Sequence, residues 1–487
     1  ATLPLKKSIK KIAVVGPNAD NAIAVLGNYN GTPSNIVTAL QGIRNKVGNG
    51  VEVIYEKAVN FTNDTLLQYA NISNQFSWQE QKGFSAEYFN NRELKGEPIA
   101  KRIETNIDYN WQEGQLVIDT LKAYNFSVRY ATDYTAATGD ITFELDADDG
   151  YRLLVDGKEV INAWSRNRWG ARTFKLQTEG GKKYRLVVDY FQGDGKAAVR
   201  LRAGHFAKTD FSALAARLKD VDAIVYVGGI SPQLEGEEMR VDFPGFNGGD
   251  RTSILLPAVQ TELMKALKQT GKPLVFVMMT GSAIAVPWEA QNVPAIVNAW
   301  YGGQDAGTAI ADVLFGDYNP SGRLPLTFYK SDNDLPDFND YSMTGRTYRY
   351  FKGKPLYAFG HGLSYTNFRY SNLRLPVSSK AKKLTVSVNV TNRGKMDGEE
   401  VVQLYVSGQE KTAQAPLRSL KGFQRIFLKA GESRTVQFSL VQQDLFLLND
   451  QGNPVPFKGK VLVSVGGSQP DTGTLQNKKT VQALMNM

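Results

Sequence analysis

The chain has 487 residues, which exceeds the size of a single hydrophobic core and predicts two to four domains. Its net charge of +9 comes from 57 basic and 48 acidic residues that are interspersed, as on a solvated surface and unlike a nucleic-acid-binding protein. The absence of cysteine excludes disulfides and cysteine nucleophiles, and no apolar run of about 18 residues predicts a membrane span.

Residues 1–82 predict the beginning of an α/β domain. Lys11–Gly16 is a short β-branched run that ends in Gly-Pro-Asn, as expected for a buried parallel strand and its loop. Ile36–Val47 has helical spacing, and Val51–Tyr55 predicts a second strand. The order strand, helix, strand is typical of α/β domains.

Residues 83–207 change to short runs in which apolar and polar side chains alternate, as in Ile141–Leu145. Such runs, separated by turn sequences such as Asp156-Gly157, predict an all-β sandwich. The α/β pattern resumes at residues 208–370, so we expect the sandwich to be inserted into the α/β domain with its two ends close together.

The returning α/β segment and the tail complete the predicted architecture. Strands are predicted at 223–228, 274–279 and 295–299, and helices at 211–219, 254–268 and 307–314. Residues 371–487 alternate again and predict an immunoglobulin-like or fibronectin type III-like β-sandwich. The predicted fold class is a multidomain α+β protein, in which an α/β sandwich domain is interrupted by one β-sandwich and followed by another.

Four groups of motifs occur in order along the α/β segments, and together they resemble family 3 glycoside hydrolases. They are KIAVVGPNAD at Lys11–Asp20 with GNYNGTPSNIVTALQGI at Gly27–Ile43, GGISPQLEGEEM at Gly228–Met239 with GGDRTSILLP at Gly248–Pro257, AWYGGQDAGTAIADVLFGDYNPSGRLPLTF at Ala299–Phe328, and PLYAFGHGLSYTNF at Pro355–Phe368. The loop around Glu237 resembles the β-xylosidase and β-glucosidase branch of bacterial polysaccharide degraders.

Two further segments resemble modules that accompany this family. Ala147–Trp164 (ADDGYRLLVDGKEVINAW) resembles the protective-antigen module found within some of these enzymes, and the tail resembles their fibronectin type III-like domain. The family normally begins with a (β/α)8 barrel that carries an Asp nucleophile, and Lys11 already matches the family's second domain. The resemblance therefore implies the C-terminal portion of such an enzyme, without the barrel. The chain also opens at Ala1 without Met, as an excised segment would.

The resemblance places the general acid/base at Glu237, in the acidic loop Leu234–Glu238 that follows the strand predicted at 223–228. Open α/β sheets bind ligands at the carboxyl ends of their strands, which favours this loop. Glu235 is the second candidate and Glu238 the third. The alternative for all three is a solvated and inert charge cluster.

Asp250 and Arg251 match a recurrent pair of the family. We expect Arg251 to pair with a carboxylate or to anchor its loop, with a structural salt bridge as the favoured role, and we do not expect Asp250 to be the nucleophile. His205 and His361 are the only two histidines, which disfavours a His-based triad or a His₂ metal site. No metal and no cofactor is expected.

Two residue pairs in the predicted sandwich are candidate ligand sites. Asp148-Asp149 could supply oxygen ligands to calcium, but an ordinary hairpin turn through Gly150 is favoured. Trp164 and Trp169 flank an Arg/Asn-rich stretch, where they either stack on sugar rings or belong to the core.

Two functional hypotheses follow. The first is the C-terminal portion of a retaining, exo-acting β-glucosidase or β-xylosidase, which supplies the acid/base and removes terminal sugars from an oligosaccharide. The alternative is a non-catalytic carbohydrate-binding protein that acts through the inserted sandwich. The expected partners are the oligosaccharide and the missing barrel domain, and a homodimer is compatible with the sequence. The family's usual role in plant polysaccharide degradation predicts a periplasmic or secreted location.

Overall fold

The structure is a computed structural model of the chain, and it describes residues 2–111, 114, 118–165, 171–195, 197–376, 383–408, 415–449 and 451–487. The chain forms two compact units, Ala1–Asp64 with Thr209–Met487, and Thr65–Lys208. No helix within the described ranges is both long and apolar enough to cross a membrane.

The first unit is built around a parallel sheet of five strands. These are β1 Lys11–Val15, β2 Glu52–Glu56, β3 Ala223–Gly229, β4 Leu274–Met279 and β5 Ala295–Asn298. Their order across the sheet is β2-β1-β3-β4-β5, and every neighbouring pair is parallel. The central strands β1, β3 and β4 are almost entirely buried, which explains why their sequences are continuous apolar runs.

Helices cover both faces of this sheet. They are α1 Ala39–Val47, α2 Phe211–Arg217, α3 Ala258–Lys268, α4 Pro287–Asn292 and α5 Ala306–Phe315. A further short helix, α6 Thr347–Tyr350, packs elsewhere, because its Tyr348 stacks on Phe359 and meets Tyr405 of the tail edge-on. Apolar side chains of α1 and α5 share one core cluster with β1, β3 and β4, and those of α2 and α3 share the other. Helix α1 begins where Thr38 accepts a hydrogen bond from the backbone N–H of Gln41 at 3.3 Å.

A short three-stranded antiparallel sheet lies between β3 and α3 in the chain. Its strands are Asp242–Phe243, Phe246–Asn247 and Asp250–Arg251. The predicted helix at 254–268 therefore begins later, at Ala258, where Pro257 precedes it. Residues 252–257 instead lead the chain away from this small sheet, and Leu255 forms a parallel bridge with Ala285.

The tail of the first unit consists of antiparallel sheets with one apolar core. The first sheet has three strands, Phe368–Arg374, Lys383–Asn392 and Ser433–Val441. The second has four, Ser419–Leu428, Gly398–Gly408, Lys460–Gly466 and Thr480–Asn486. The third has two, Phe446–Leu448 and Pro454–Pro456, and a short helix spans Thr472–Gln476. Buried side chains of the two larger sheets, such as Val388 and Val463, meet in the same cluster.

The second unit contains two antiparallel sheets around one core that is rich in tyrosine and phenylalanine. One sheet comprises Arg172–Thr178, Gly139–Asp148, Ala197–Lys208, Thr65–Tyr69 and Asp108–Trp111. The other comprises Lys158–Ala163, Gly150–Val155, Lys183–Gln192, Phe126–Thr135, Phe76–Trp78, Gln81–Lys82, Phe84–Phe89 and Ala100–Glu104.

The second unit begins earlier than residue 83, where the sequence pattern changes. Thr65–Tyr69 pairs with the end of Ala197–Lys208, and Phe76–Trp78 pairs with Phe126–Thr135, so both early strands belong to its sheets. The chain leaves the first unit after Asp64 and returns at Thr209, whose N–H donates to the Asp64 carbonyl at 2.8 Å.

The prediction of a hairpin turn at residues 148–150 is wrong. Asp148 ends a strand of the five-stranded sheet, whereas Gly150 begins a strand of the eight-stranded sheet, so the chain crosses from one sheet to the other here. By contrast, Asp156-Gly157 does form a tight hairpin turn, because both residues have a positive φ and Val155 pairs with Lys158.

Candidate active site

The carboxyl ends of β1, β3, β4 and β5 meet at one edge of the parallel sheet, where the loops after them converge. The buried side chain of Asn18, after β1, ties two of these loops together. Its Nδ2 donates to the carbonyls of Gly228 at 3.3 Å and Ile230 at 3.0 Å. This edge is the usual place for a ligand site in an open parallel sheet.

Glu235 is half-buried in the loop after β3, and its carboxylate accepts three hydrogen bonds from the other loops. Oε1 accepts from the N–H of Gly281 at 3.0 Å and from the hydroxyl of Tyr301 at 2.6 Å, and Oε2 accepts from Ser282 Oγ at 3.2 Å. The donors follow β4 and β5, so this carboxylate joins three adjacent strand ends. Glu235 therefore holds the loop in place.

Two glycines allow the close approach that this arrangement needs. A Cβ on Gly281 would lie 2.7 Å from Glu235 Oε1, and a Cβ on Gly249 would lie 1.9 Å from the carbonyl oxygen of Gly236. Gly249 also has a φ of +95°, which other residues rarely adopt. The acidic loop is therefore packed directly against the backbone of its neighbours.

Arg251 supports the residues that bond Glu235, and Tyr301 bonds it directly. Arg251 Nη1 donates to Ser282 Oγ at 2.7 Å and to the Ala283 carbonyl at 2.9 Å, so the predicted salt bridge is replaced by contacts to a hydroxyl and the backbone. Burial lowers the pKa of Arg251, although an arginine stays charged at neutral pH. Burial and the adjacent Glu235 raise the pKa of Tyr301, which keeps its phenol protonated as a donor.

Glu237 lies two residues further along the same loop and is exposed to solvent. Its Oε2 accepts a hydrogen bond from the hydroxyl of Tyr29, which belongs to the loop after β1. Glu238 is also exposed and has a φ of +51°, in the left-handed region that non-glycine residues adopt uncommonly. The carboxylate of Glu237 is thus presented at the sheet edge, while that of Glu235 is turned inward.

The candidate ligand residues Trp164 and Asp149 lie in the second unit. Trp164 is half-buried, with Arg152 over its ring at 4.7 Å and Phe191 packed edge-on at 4.9 Å. Trp169 lies outside the described residues. Asp149 is buried and accepts a hydrogen bond from the N–H of Gly193 at 2.6 Å.

Asp250 is exposed in the last strand of the small sheet. Among the described residues, no group of three or more His, Cys, Asp or Glu side chains is arranged to hold a metal ion.

Sequence reasoning missed four residues that build this edge: Asn18, Tyr29, Ser282 and Tyr301. Tyr29 and Tyr301 lie inside motifs that resemble the family, GNYNG and AWYGG, but motif similarity assigns no role to individual residues. Their positions after β1 and β5, at the edge where the acidic loop emerges, are the signal that could have identified them.

An α/β domain that presents a carboxylate in a loop at the carboxyl edge of its sheet is suited to acid–base chemistry on a bound ligand, as in an enzyme of the hydrolase type. The comparisons agree, and the chain belongs to glycosyl hydrolase family 3: residues 1–365 match the glycosyl hydrolase family 3 C-terminal domain. Residues 400–469 match the fibronectin type III-like domain.

The matching relatives are longer proteins. The chain is 38% identical over 475 residues to a xylan 1,4-beta-xylosidase of Xylanibacter ruminicola, covering 96% of this chain and 54% of that protein. It is 30% identical over 493 residues to a periplasmic beta-glucosidase of Salmonella typhimurium, covering 98% of this chain and 47% of that protein. The chain thus spans about half the length of these relatives.

A solved structure is similar to this chain in fold. The beta-glucosidase from Kluyveromyces marxianus in complex with glucose matches 100% of this chain and 60% of its own chain, with a TM-score of 0.64 and 27% sequence identity. Similarity at this level supports the fold across the described residues of both units.

Proposed function

We propose that this chain is the C-terminal portion of a retaining, exo-acting β-glycosidase that removes terminal β-linked xylose or glucose from oligosaccharides. The observation that carries the proposal is the position of Glu237. It is an exposed carboxylate in the loop after β3, at the carboxyl edge of the sheet of a family 3 domain. The relatives named for xylan and β-glucoside hydrolysis support the sugar class.

In this proposal Glu237 is the general acid/base. Retaining hydrolysis needs a second carboxyl group about 5–5.5 Å away, which attacks the anomeric carbon while the bond to the leaving oxygen breaks. Glu237 gives its proton to that oxygen. In the second step Glu237 takes a proton from water, and the water oxygen replaces the nucleophile on the anomeric carbon.

The nucleophile is assigned to an Asp on an N-terminal barrel domain that lies outside this sequence. Glu235, the second candidate for the acid/base, is assigned a supporting role, since three donors occupy its oxygens. A carboxylate with these bonds would have to break them to protonate a substrate, whereas Glu237 needs no such rearrangement.

The proposal extends to the remaining parts of the chain. Residues 65–208 form an inserted module of the protective-antigen type, and the enzyme acts in the periplasm or outside the cell. The two-sheet architecture of the second unit and the periplasmic location in the name of one relative support these assignments.

The test compares nitrophenyl β-xyloside and β-glucoside hydrolysis by the natural full-length protein with that by residues 1–487 alone. The full-length protein is expected to be active, and Glu237→Gln to lower kcat/KM on substrates with poor leaving groups by about 10²–10⁴-fold. Glu238→Gln, an exposed neighbour, serves as the matched control and should remain within about two-fold.

Activity of residues 1–487 alone that disappears in Glu237→Gln would show that a nucleophile lies within these residues, and it would overturn the assignment to a barrel. Full activity of Glu237→Gln on substrates with poor leaving groups would refute Glu237 as the general acid.

A further inference from the structure

Tyr29 is the one side chain that bonds the Glu237 carboxylate within the part of the chain that the structure describes. Glu235, two residues away, receives donors from three other residues. An exposed glutamate with a single contact is free to sample several rotamers, so the partner of that contact determines where the carboxyl group points.

The loop that carries Tyr29 is itself attached to the acidic loop. Asn28 Nδ2 donates to the backbone carbonyl of Glu235 at 2.8 Å, and Asn30 Nδ2 donates to the Gly27 carbonyl at 3.1 Å. The side chains of Asn28 and Tyr29 thus contact the acidic loop on both sides of Gly236: Asn28 bonds a backbone carbonyl, and Tyr29 bonds a carboxylate.

The backbone of this loop has an unusual conformation at Tyr29. Gly27 has a φ of +76° and Tyr29 a φ of +47°, a region that non-glycine residues adopt uncommonly. Such a conformation persists when the surroundings determine it, and it is frequent at functional sites. The ring of Tyr29 is 87% exposed, so burial of apolar surface does not explain its placement.

From these observations we infer that Tyr29 is the positioning residue of the acid/base. Its phenol holds Glu237 Oε2 and leaves Oε1 directed at the leaving oxygen of the glycoside. The inference rests on the proposed function of Glu237. A general acid must lie within hydrogen-bond distance of the atom it protonates, and a displacement of about 1 Å can cost on the order of 100-fold in rate.

The experiment uses the natural full-length protein and two aryl glycosides of the sugar that it hydrolyses. A dinitrophenol leaves without protonation, whereas an unsubstituted phenol requires the general acid. Tyr29→Phe is expected to lower kcat/KM on the phenyl glycoside by about 10-fold and to stay within about two-fold on the dinitrophenyl glycoside. A tyrosine with a merely structural role would lower both values equally.

Tyr341→Phe is the matched control, because Tyr341 is 90% exposed and lies in a different segment of the first unit. It is expected to leave both values unchanged. Equal losses on the two substrates, or no loss in Tyr29→Phe, would overturn the inference.

Glu237→Gln, measured in parallel, separates this inference from the proposed function. If Glu237→Gln shows the leaving-group dependence and Tyr29→Phe does not, only the role of Tyr29 fails. If neither variant shows it, the role of Glu237 fails as well.

Discussion

Carboxylates occupy two contrasting settings in the first unit, the junction between the α/β domain and the tail, and the acidic loop at the sheet edge. At the junction, the side chain of Glu400 is 3% exposed and accepts from Arg323 Nη2 at 2.7 Å and from Tyr370 at 2.8 Å. At the sheet edge, Glu237 is exposed and accepts from Tyr29. A carboxylate that is enclosed by its donors therefore supports the fold, whereas a carboxylate with an unbonded oxygen is available for chemistry.

Glu235 shows that two carboxylates close together in the sequence can belong to different settings. It shares the loop with Glu237, but its three donors and partial burial make it resemble Glu400. We therefore expect substitutions at Glu400 and Glu235 to act on stability, and substitutions at Glu237 to act on catalysis.

The largest effect on stability is expected from Glu400→Gln. This change leaves the guanidinium of Arg323, whose side chain is 9% exposed, without its anionic partner. Breaking a buried ion pair by removing one partner costs about 3–5 kcal/mol. Urea unfolding followed by circular dichroism should show the lower midpoint.

Glu399→Gln on the same strand is the matched control. Glu399 pairs with Arg425, whose side chain is 50% exposed, and exposed pairs contribute about 0–1 kcal/mol. If the two variants lost the same stability, the enclosure of Glu400 would not be the reason for its importance.

A smaller loss of stability than that of Glu400→Gln is expected from Glu235→Gln. The side-chain amide retains one acceptor oxygen, but its NH₂ group cannot accept the hydrogen bonds that Tyr301, Ser282 and the Gly281 N–H donate to the native carboxylate. An unsatisfied buried donor costs about 1–3 kcal/mol. The kcat/KM values of the full-length protein should fall by the same factor for good and poor leaving groups.

That uniform loss separates Glu235 from Glu237. A loss of kcat/KM that is confined to substrates with poor leaving groups would instead identify Glu235 as the general acid. The roles assigned to Glu235 and Glu237 would then be exchanged. Glu238→Gln again serves as the control, with an expected change within about 0.5 kcal/mol.

The smallest expected effect is a pH dependence of stability that arises from His361, near the junction between the α/β domain and the tail. Burial, with further contributions from Arg323 and Lys479, lowers the pKa of His361, while Asp471 opposes the shift. Between that lowered pKa and the ordinary value of about 6.5, the unfolded chain binds more protons than the folded chain. The free energy of unfolding should therefore fall as the pH drops below about 6.5, by at most about 1.4 kcal/mol per pH unit.

His361→Asn should flatten this pH dependence in urea unfolding measured from pH 7 to pH 5. His205 is exposed, so His205→Asn should leave the slope unchanged. A slope that persists in His361→Asn would assign the acid sensitivity to other groups.

Much of the first unit could be predicted from sequence, because strands that are buried on both faces have continuous apolar sequences that are easily recognised. The runs at β1, β3 and β4 are apolar throughout and lie where the sequence pattern predicts them. Helix α4 could not be predicted in this way, since six residues that begin with Pro287 are too few to show helical spacing.

Pairing between distant segments explains the predictions that failed or were incomplete. Thr65–Tyr69 belongs to the second unit because it pairs with the end of Ala197–Lys208. The sequence of the strand itself does not indicate which strand will be its partner. Likewise, the sequence LEGEE does not show that Glu235 turns inward. Its donors at Gly281 and Tyr301 come from loops after other strands, so only the folded sheet edge distinguishes the two glutamates.

The hydrogen bond from the Thr209 N–H to the Asp64 carbonyl, at 2.8 Å, has an evolutionary consequence. Because Asp64 and Thr209 already lie side by side, a recombination event could add or delete the whole segment from Thr65 to Lys208 without changing the strand order of the parallel sheet. Closing so short a gap costs little chain entropy. The segment can therefore be exchanged as a unit, and its sequence can diversify while the sheet edge that carries Glu237 stays under separate selection.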